Sequence, residues 1–333
     1  MIEEQTSFGH MLGPVLRETC RGRLGTISWF RATWQHGGAA TGYSTWRCPS
    51  GQEIECVVKL PVGHGEYQWT KRLGLTSCHD WDNPDAEALP TPRVFAAGFE
   101  LGSYDFAWIV MERFAGMPIS HTPSGQTMWE IFETCAEFHA AAITERSIEA
   151  DHTPPPPDWR ALIPRGLKAL EDNDLEHSER WVRGLHAVNE RLDGLMRLWA
   201  AREINTWCHH DLHPGNAMRR TGADAKPGRC VLLDLAMVGA GHWIEDALYL
   251  ERLNWGREAE SLCGIDPVGT LAKARTFIGL PIGDDYEELA DLRRLLMAAS
   301  TPAFLRTEGH PEYLRAALQR LEGCLAKADT WIS

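Results

Sequence analysis

No run in this chain of 333 residues reaches the roughly 18 consecutive apolar residues of a membrane-spanning helix, so no membrane protein is expected. The opening Met1-Ile2-Glu3-Glu4-Gln5 is acidic and leads into no apolar core, which argues against a secretory signal. No window of five residues is dominated by Lys and Arg, so nothing suggests a patch for anionic lipid. Basic residues are too few for nucleic acid: 33 Lys and Arg stand against 46 Asp and Glu, a net charge of −13, the wrong sign for neutralising phosphates. The nine cysteines are odd in number and never fall as Cys-x-x-Cys, which excludes a zinc ribbon and a thioredoxin-like site. Cys56, Cys135 and Cys230 lie inside apolar runs, as small hydrophobes do, and reduced thiols in a cytoplasmic protein are expected. There is no internal repeat.

Tryptophan, by contrast, is abundant, with 14 residues. Most should fill a core; a minority are candidates for a cage in which an indole face attracts an organic cation. The acidic balance tilts the same way, towards a cationic small molecule and away from polyanions.

At about 100–200 residues per domain, the length suits two domains or one two-lobed unit. Residues 5–20 read as a short helix. Strand-like runs follow at 26–35, 43–48 and 54–60, the first two separated by the glycine-rich His36-Gly37-Gly38-Ala39-Ala40-Thr41-Gly42. Residues 65–73 have helical spacing, and 94–99 and 106–111 read as two more strands. The expectation is a five-stranded antiparallel lobe with one helix inserted after its third strand. Beyond Phe114 helices dominate, near 127–143, 160–173, 178–202, 244–262, 268–277, 285–299 and 310–328. They are interrupted by a stiff loop around Pro154–Pro157 and by a β-like insert at 204–235. His139, on the apolar face of the first of these helices, reads as a hydrogen-bonded core residue.

The insert carries the chemistry. It contains His209-His210-Asp211-Leu212-His213-Pro214-Gly215-Asn216, and then an apolar run, Cys230-Val231-Leu232-Leu233, that ends in Asp234. Phosphoryl transfer from a nucleotide needs a carboxylate to orient the attacking hydroxyl and take its proton, and oxygen ligands for Mg²⁺. Lys59, inside the apolar strand Glu55-Cys56-Val57-Val58-Lys59-Leu60, is placed to supply positive charge for the phosphates.

At this point the chain resembles the aminoglycoside phosphotransferase and choline kinase family of small-molecule kinases. His209 to Asn216 resembles that family's His-x-Asp-x-x-x-x-Asn catalytic loop, Ile109 to Gly116 its hinge, and Gly239 to Leu250 the turn and Asp-Ala-Leu helix start after the metal-binding Asp. The resemblance runs over roughly residues 24–320. It implies an α+β, two-lobed protein-kinase-like fold, with a nucleotide-binding lobe at 1–114 ending in the hinge and a helical lobe at 115–333 holding the catalytic loop and acceptor. It implies Asp211 as catalytic base, Asn216 and Asp234 as Mg²⁺ ligands, Lys59 on the phosphates paired with Glu66, and Gly37 and Gly38 offering backbone N–H groups to the phosphates. Backbone groups of Glu112 and Phe114 would hold adenine, and His209 would brace the loop. ATP is the implied cofactor, with GTP admitted because the family's adenine contacts are largely to backbone. The acceptor is a hydroxyl of a small molecule, of cationic character on the composition argument, with carboxylates of residues 241–291 and a Trp face as its expected contacts. Oligomeric state is not readable.

Three departures stand out. His210 precedes Asp211 where the family usually has Gly. Leu235-Ala236 follows Asp234. The glycine-rich loop is neither Gly-x-Gly-x-x-Gly nor a Walker sequence. Glu245, Asp246, Asp284 and Asp285 read as solvated acids, Asp246 alternatively as a cap or loop anchor. A catalytically inactive nucleotide-binding module is the main alternative. A metal-hydrolase cluster of His209, His210, Asp211 and His213 leaves Asn216, Lys59 and the hinge unexplained. Protein-kinase activity fits poorly, because Asp234 and Asp246 are only 12 positions apart, short for a peptide-docking segment.

Overall fold

The computed structural model describes residues 2–30, 39–74, 89–116, 118–121, 123–148, 152–221 and 227–332. Chain packing divides it into two compact units. The first comprises residues 1–121, 140–146 and 214–238, and the second 122–139, 147–213 and 239–333, so both are discontinuous in sequence.

The first unit is built on strands β1 (Ser28–Phe30), β2 (Ala40–Arg47), β3 (Glu53–Val62), β4 (Val94–Gly98) and β5 (Ala107–Glu112) in one antiparallel sheet of order β1-β2-β3-β5-β4. Period-two alternation decides its faces. Cys56, Val58 and Leu60 of β3 join Trp108 and Val110 of β5 on one side, where Leu12 and Leu16 of helix α1 (Ile2–Thr19) complete a buried cluster. Ala107 and Ile109 point the other way and pack with Val62, Val94 and Tyr67 of helix α2 (His64–Gly74). Of the expected strand at 26–35, residues 28–30 form β1 and residues 26–27 are not strand, while residues 31–35, with Gly37 and Gly38, lie outside the described residues.

The second unit is helical: α3 (Gly125–Glu145, as far as His139), α4 (Trp159–Asp172), α5 (Ser178–Ala200), α6 (Ile244–Leu253), α7 (Pro267–Phe277), α8 (Tyr286–Ser300) and α9 (Pro311–Ile332). Its core explains the tryptophans. Trp159, Trp181, Trp199, Trp207, Trp243 and Trp255 are all fully buried, each contributing about 4–6 kcal/mol of apolar burial before entropy is subtracted. Several meet the chain's own guanidinium groups: Arg202 and Arg293 lie 4.3 and 4.8 Å from Trp199, Arg275 lies 5.5 Å from Trp243 and Arg320 lies 5.0 Å from Trp255. Cation–π contacts of this kind are worth about 0.5–2 kcal/mol each. These indole faces serve the core, not a ligand cage.

The helix expected at 244–262 stops at Leu253. Gly256 forces the break: its φ is +83°, and a Cβ there would come within 2.6 Å of the Glu312 carbonyl oxygen. The β-like insert is two structures. Strand β6 (Thr206–Cys208) pairs with β9 (Gly239–Gly241) in the second unit, and β7 (Ala217–Thr221) pairs with β8 (Pro227–Leu232) in the first.

Candidate active site

In the second unit the loop after β6 hangs from one carboxylate. Asp246, in the first turn of α6, is completely buried. Its Oδ2 accepts from the His209 backbone N–H at 2.8 Å and its Oδ1 from that of His210 at 2.7 Å. Oδ2 also accepts from His139 Nε2 at 2.9 Å. Arg275 Nη1 donates to His139 Nδ1 at 3.0 Å, which fixes the imidazole proton on Nε2. Burial alone would raise the Asp246 pKa, but the His139 hydrogen bond and the neighbouring histidines hold it down to about 2. Burial lowers the pKa of His139, keeping it neutral. The charge that balances Asp246 is therefore the Arg275 guanidinium, acting through a neutral ring. Asp246 is a loop anchor and not the solvated acid first expected, and His139 is the core residue its helical position suggested.

The anchored loop presents Asp211. Its backbone N–H donates to His209 Nδ1 at 3.3 Å, so His209 braces the loop from within. His210 has a φ of 61°, a left-handed conformation that glycine adopts freely and for which an L-residue pays about 1–2 kcal/mol. The Asp246 bond to the His210 N–H helps hold it there. Tyr249, three residues past Asp246 on the same face of α6, donates its hydroxyl to Asp211 Oδ1 at 2.5 Å. Burial first, then the Asp211 carboxylate, push the phenol's pKa up. His213 Nε2 lies 3.7 Å from the same carboxylate oxygen.

His242 begins the turn into α6 and is 2% exposed. Its Nδ1 accepts from the Ile244 N–H at 3.4 Å, and burial lowers its pKa from the ordinary 6.5 to about 4. Between these values the unfolded chain binds a proton that the folded chain refuses, so stability is lost as pH falls from about 6.5 to about 4, by up to about 3 kcal/mol. Urea unfolding across that range should show the slope, and His242→Gln should flatten it; an identical slope in the variant would exclude His242 as its source.

The first unit holds the other candidate residues. Lys59 Nζ lies 2.5 Å from Glu66 Oε1, both mostly buried. Burial raises the pKa of Glu66 against the pull of Lys59, and Asp234 adds to the rise. Asp234 thus acts on the Lys59–Glu66 pair as a second negative charge. Gly65, beside Glu66, closes the approach of α2 to the turn after Asp234: a Cβ there would lie 3.2 Å from the Ala236 carbonyl oxygen. Asp234 is exposed and has a φ of 59°, a left-handed conformation uncommon for a non-glycine residue. The Asn216 carbonyl accepts from the Leu233 N–H at 2.8 Å, joining the two segments that bear the expected metal ligands. A carboxylate and an amide oxygen are the hard donors Mg²⁺ prefers, next to a cluster with surplus negative charge, so these residues fit that ion.

At the expected hinge, the Glu112 backbone N–H already donates to the Arg93 carbonyl at 2.8 Å. Its side chain is held by Arg220, which also donates to the carbonyls of Leu89 and Thr91 at 2.6 and 2.7 Å. Phe114 follows β5, half-buried.

Sequence reasoning missed Tyr249, Arg275 and Arg220. Only Tyr249 left a local signal, its three-residue offset from Asp246. Among the described residues, the groups with metal-ligand geometry are Cys135–His139–Asp246 and Cys208–His210–Asp246. Both depend on Asp246, whose oxygens already serve two amides and an imidazole, and Arg275 supplies the positive charge. A metal-hydrolase centre at this loop has no support.

The model of a family described as "Phosphotransferase enzyme family" matches residues 82–275. No curated protein matches the chain. Among solved structures, a candidate aminoglycoside phosphotransferase from Ralstonia eutropha is 15% identical with a TM-score of 0.52, over 95% of this chain and 98% of that one. A candidate fructosamine-3-kinase from Thermobifida fusca is 17% identical with a TM-score of 0.47, over 92% and 95%. An aminoglycoside phosphotransferase from Alicyclobacillus acidocaldarius is 17% identical with a TM-score of 0.46, over 87% and 88%. At this identity, the first of these speaks for the fold alone.

Proposed function

Because the chain belongs to the phosphotransferase enzyme family, we propose that it moves the γ-phosphoryl group of ATP to a hydroxyl of a small molecule in the cytoplasm, with Mg²⁺ as cofactor. The observation that carries this reading is the support of Asp211: a loop pinned by Asp246 through two backbone amides, with Tyr249 on the carboxylate itself. Such support fixes a base in the geometry that proton acceptance requires.

Asp211 takes the proton of the acceptor hydroxyl as its oxygen bonds to the γ-phosphorus. The bond from that phosphorus to the bridging oxygen breaks, and the nucleoside diphosphate leaves with the electron pair. Lys59, held by Glu66, offsets charge on the phosphates. When bound, Mg²⁺ neutralises charge on the transferring group, and Asn216 and Asp234 are the residues that would hold it. Backbone groups of Glu112 and Phe114 remain the candidates for the base, with GTP as the competing nucleotide. The cytoplasmic placement is supported by eight described cysteines, all unpaired thiols. No described helix is long and apolar enough to cross a membrane.

Asp234→Asn should weaken Mg²⁺-dependent nucleotide binding by about tenfold or more, and substitution of Asn216 less, because Asn is a neutral ligand. Titration of nucleotide binding against Mg²⁺ reads this directly; an unchanged requirement in both variants would remove them from the metal site. The reading as a whole is tested by a coupled nucleotide-consumption screen, with ATP and GTP, across amines, amino sugars, sugars and hydroxy acids. Nucleotide binding without consumption on any acceptor would favour the inactive-module alternative.

Composition leans the acceptor towards a cation, such as an aminoglycoside or amino alcohol. A net charge of −13 raises the local concentration of cations without selecting the molecule that binds. Selection belongs to groups in contact with the acceptor, and the groove that Tyr249 lines carries two arginines and one glutamate.

A further inference from the structure

Tyr249 faces two ways. Its hydroxyl holds Asp211, and the residue lines an open groove of about 290 Å³ in the same unit, with Arg252, Trp255, Arg257, Glu308 and Tyr313. The groove therefore opens one side chain away from the proposed base. The face of α6 that carries Asp246 and Tyr249 continues to Arg252 three residues on, and the turn at Gly256 brings Arg257 to the rim.

The charge of this lining is opposite to that of the protein: two arginines against one glutamate. The glutamate is already engaged. Arg252 Nη2 donates to Glu308 Oε1 and Oε2 at 2.9 and 2.7 Å, and the Tyr313 hydroxyl donates to Oε2 at 3.2 Å. Trp255 offers no face to an ammonium group: it is 1% exposed, stacked on Tyr313 at 5.8 Å and covered by Arg320. Arg257 is exposed and makes no side-chain hydrogen bond or ion pair among the described residues. The groove has no unengaged carboxylate and no open indole for a cation, and it has what binds anions, an unengaged guanidinium.

We propose that this groove is the acceptor subsite and that it selects a hydroxyl compound carrying a carboxylate, which Arg257 holds while the hydroxyl is presented to Asp211. One unengaged guanidinium balances one negative charge, which suits a carboxylate better than a dianionic phosphate. The inference rests on the phosphotransferase reading for the role of Asp211, and the charge of the lining adds the class of acceptor.

The test uses the full chain and three probes that differ in charge: 4-hydroxybutyrate, choline and 1,4-butanediol. Binding is read without nucleotide, by isothermal titration, and transfer by coupled nucleotide consumption with Mg²⁺ and ATP. The expected result is binding and turnover of 4-hydroxybutyrate in preference to the other two. Arg257→Gln should raise its KM by about tenfold or more with kcat within a few-fold, Arg257→Lys should recover part of the loss, and the KM for ATP should stay unchanged. Preference for choline or the diol, failure of 4-hydroxybutyrate to bind, or equal affinity in Arg257→Gln would each overturn the proposal. The phosphotransferase reading fails separately, through absence of nucleotide binding and of consumption with every acceptor, because the carboxylate titration needs no nucleotide.

Discussion

Asp211→Ala is expected to lower phosphoryl transfer by about 10²–10⁴-fold while nucleotide affinity stays within a few-fold of the parent. The asymmetry follows from where the residue sits. Asp211 belongs to the second unit and is held by groups of that unit, the Tyr249 hydroxyl and the His209 ring. The nucleotide-facing candidates Lys59, Glu66, Asn216 and Asp234 belong to the first. Removing the carboxylate deletes a proton acceptor without touching the Lys59–Glu66 pair. Steady-state transfer and equilibrium nucleotide binding, measured on the same preparation, separate the two effects. Transfer within a few-fold of the parent would remove Asp211 from the role of base, and parallel loss of both would point to a folding defect instead.

Asp246→Ala should be the most destabilising single substitution in the site, by about 3–5 kcal/mol, because it leaves Arg275 as a buried charge without its counter-charge and frees two backbone amides in a dry interior. For a unit of this size that corresponds to a fall of about 6–20 °C in Tm. Asp246→Asn should be milder in stability but still costly in transfer, since its amide nitrogen turns a donor towards donors that the carboxylate satisfied. The diagnostic is coupling. Asp246→Asn combined with Arg275→Met should cost much less than the sum of the two single changes, because the second removes the charge that the first strands. Additivity within about 0.5 kcal/mol would dismiss the buried pair as a unit. The pH dependence has a defined sign. The Asp246 pKa falls from the ordinary 3.8 to about 2 in the folded chain, so its contribution is complete above about 3.8 and is lost as pH falls through about 2.

Much of the architecture was legible because it repeats locally. Alternation at Cys56, Val58 and Leu60 specified a strand and its buried face, and three- and four-residue spacings located α2, α3, α4 and α5 to within a few residues. Helix α6 was drawn too long because helical spacing continues past Leu253, while the left-handed turn at Gly256 and the Glu312 carbonyl against it are not visible in that spacing. The candidate base and metal ligands were legible as well, since Asp211, Asn216 and Asp234 fall within one short stretch of chain with a recognisable order.

By itself, then, the sequence determined the identity of the chemical groups, the periodicity of the elements and the family. Tertiary structure alone decided what those groups do to one another. His139 and Asp246 are 107 residues apart, His139 and Arg275 136, and Glu112 and Arg220 108. No local window relates such pairs, and each of these side chains alone reads as an ordinary polar residue. The same holds for charge. A net of −13 is a sum over the whole surface, whereas the groove beside Tyr249 takes its sign from Arg252, Arg257 and Glu308, brought together by a turn and two helices. Electrostatic selection acts over a few ångströms in contact with protein and is screened beyond about 8 Å in salt, so the local arrangement prevails over the total.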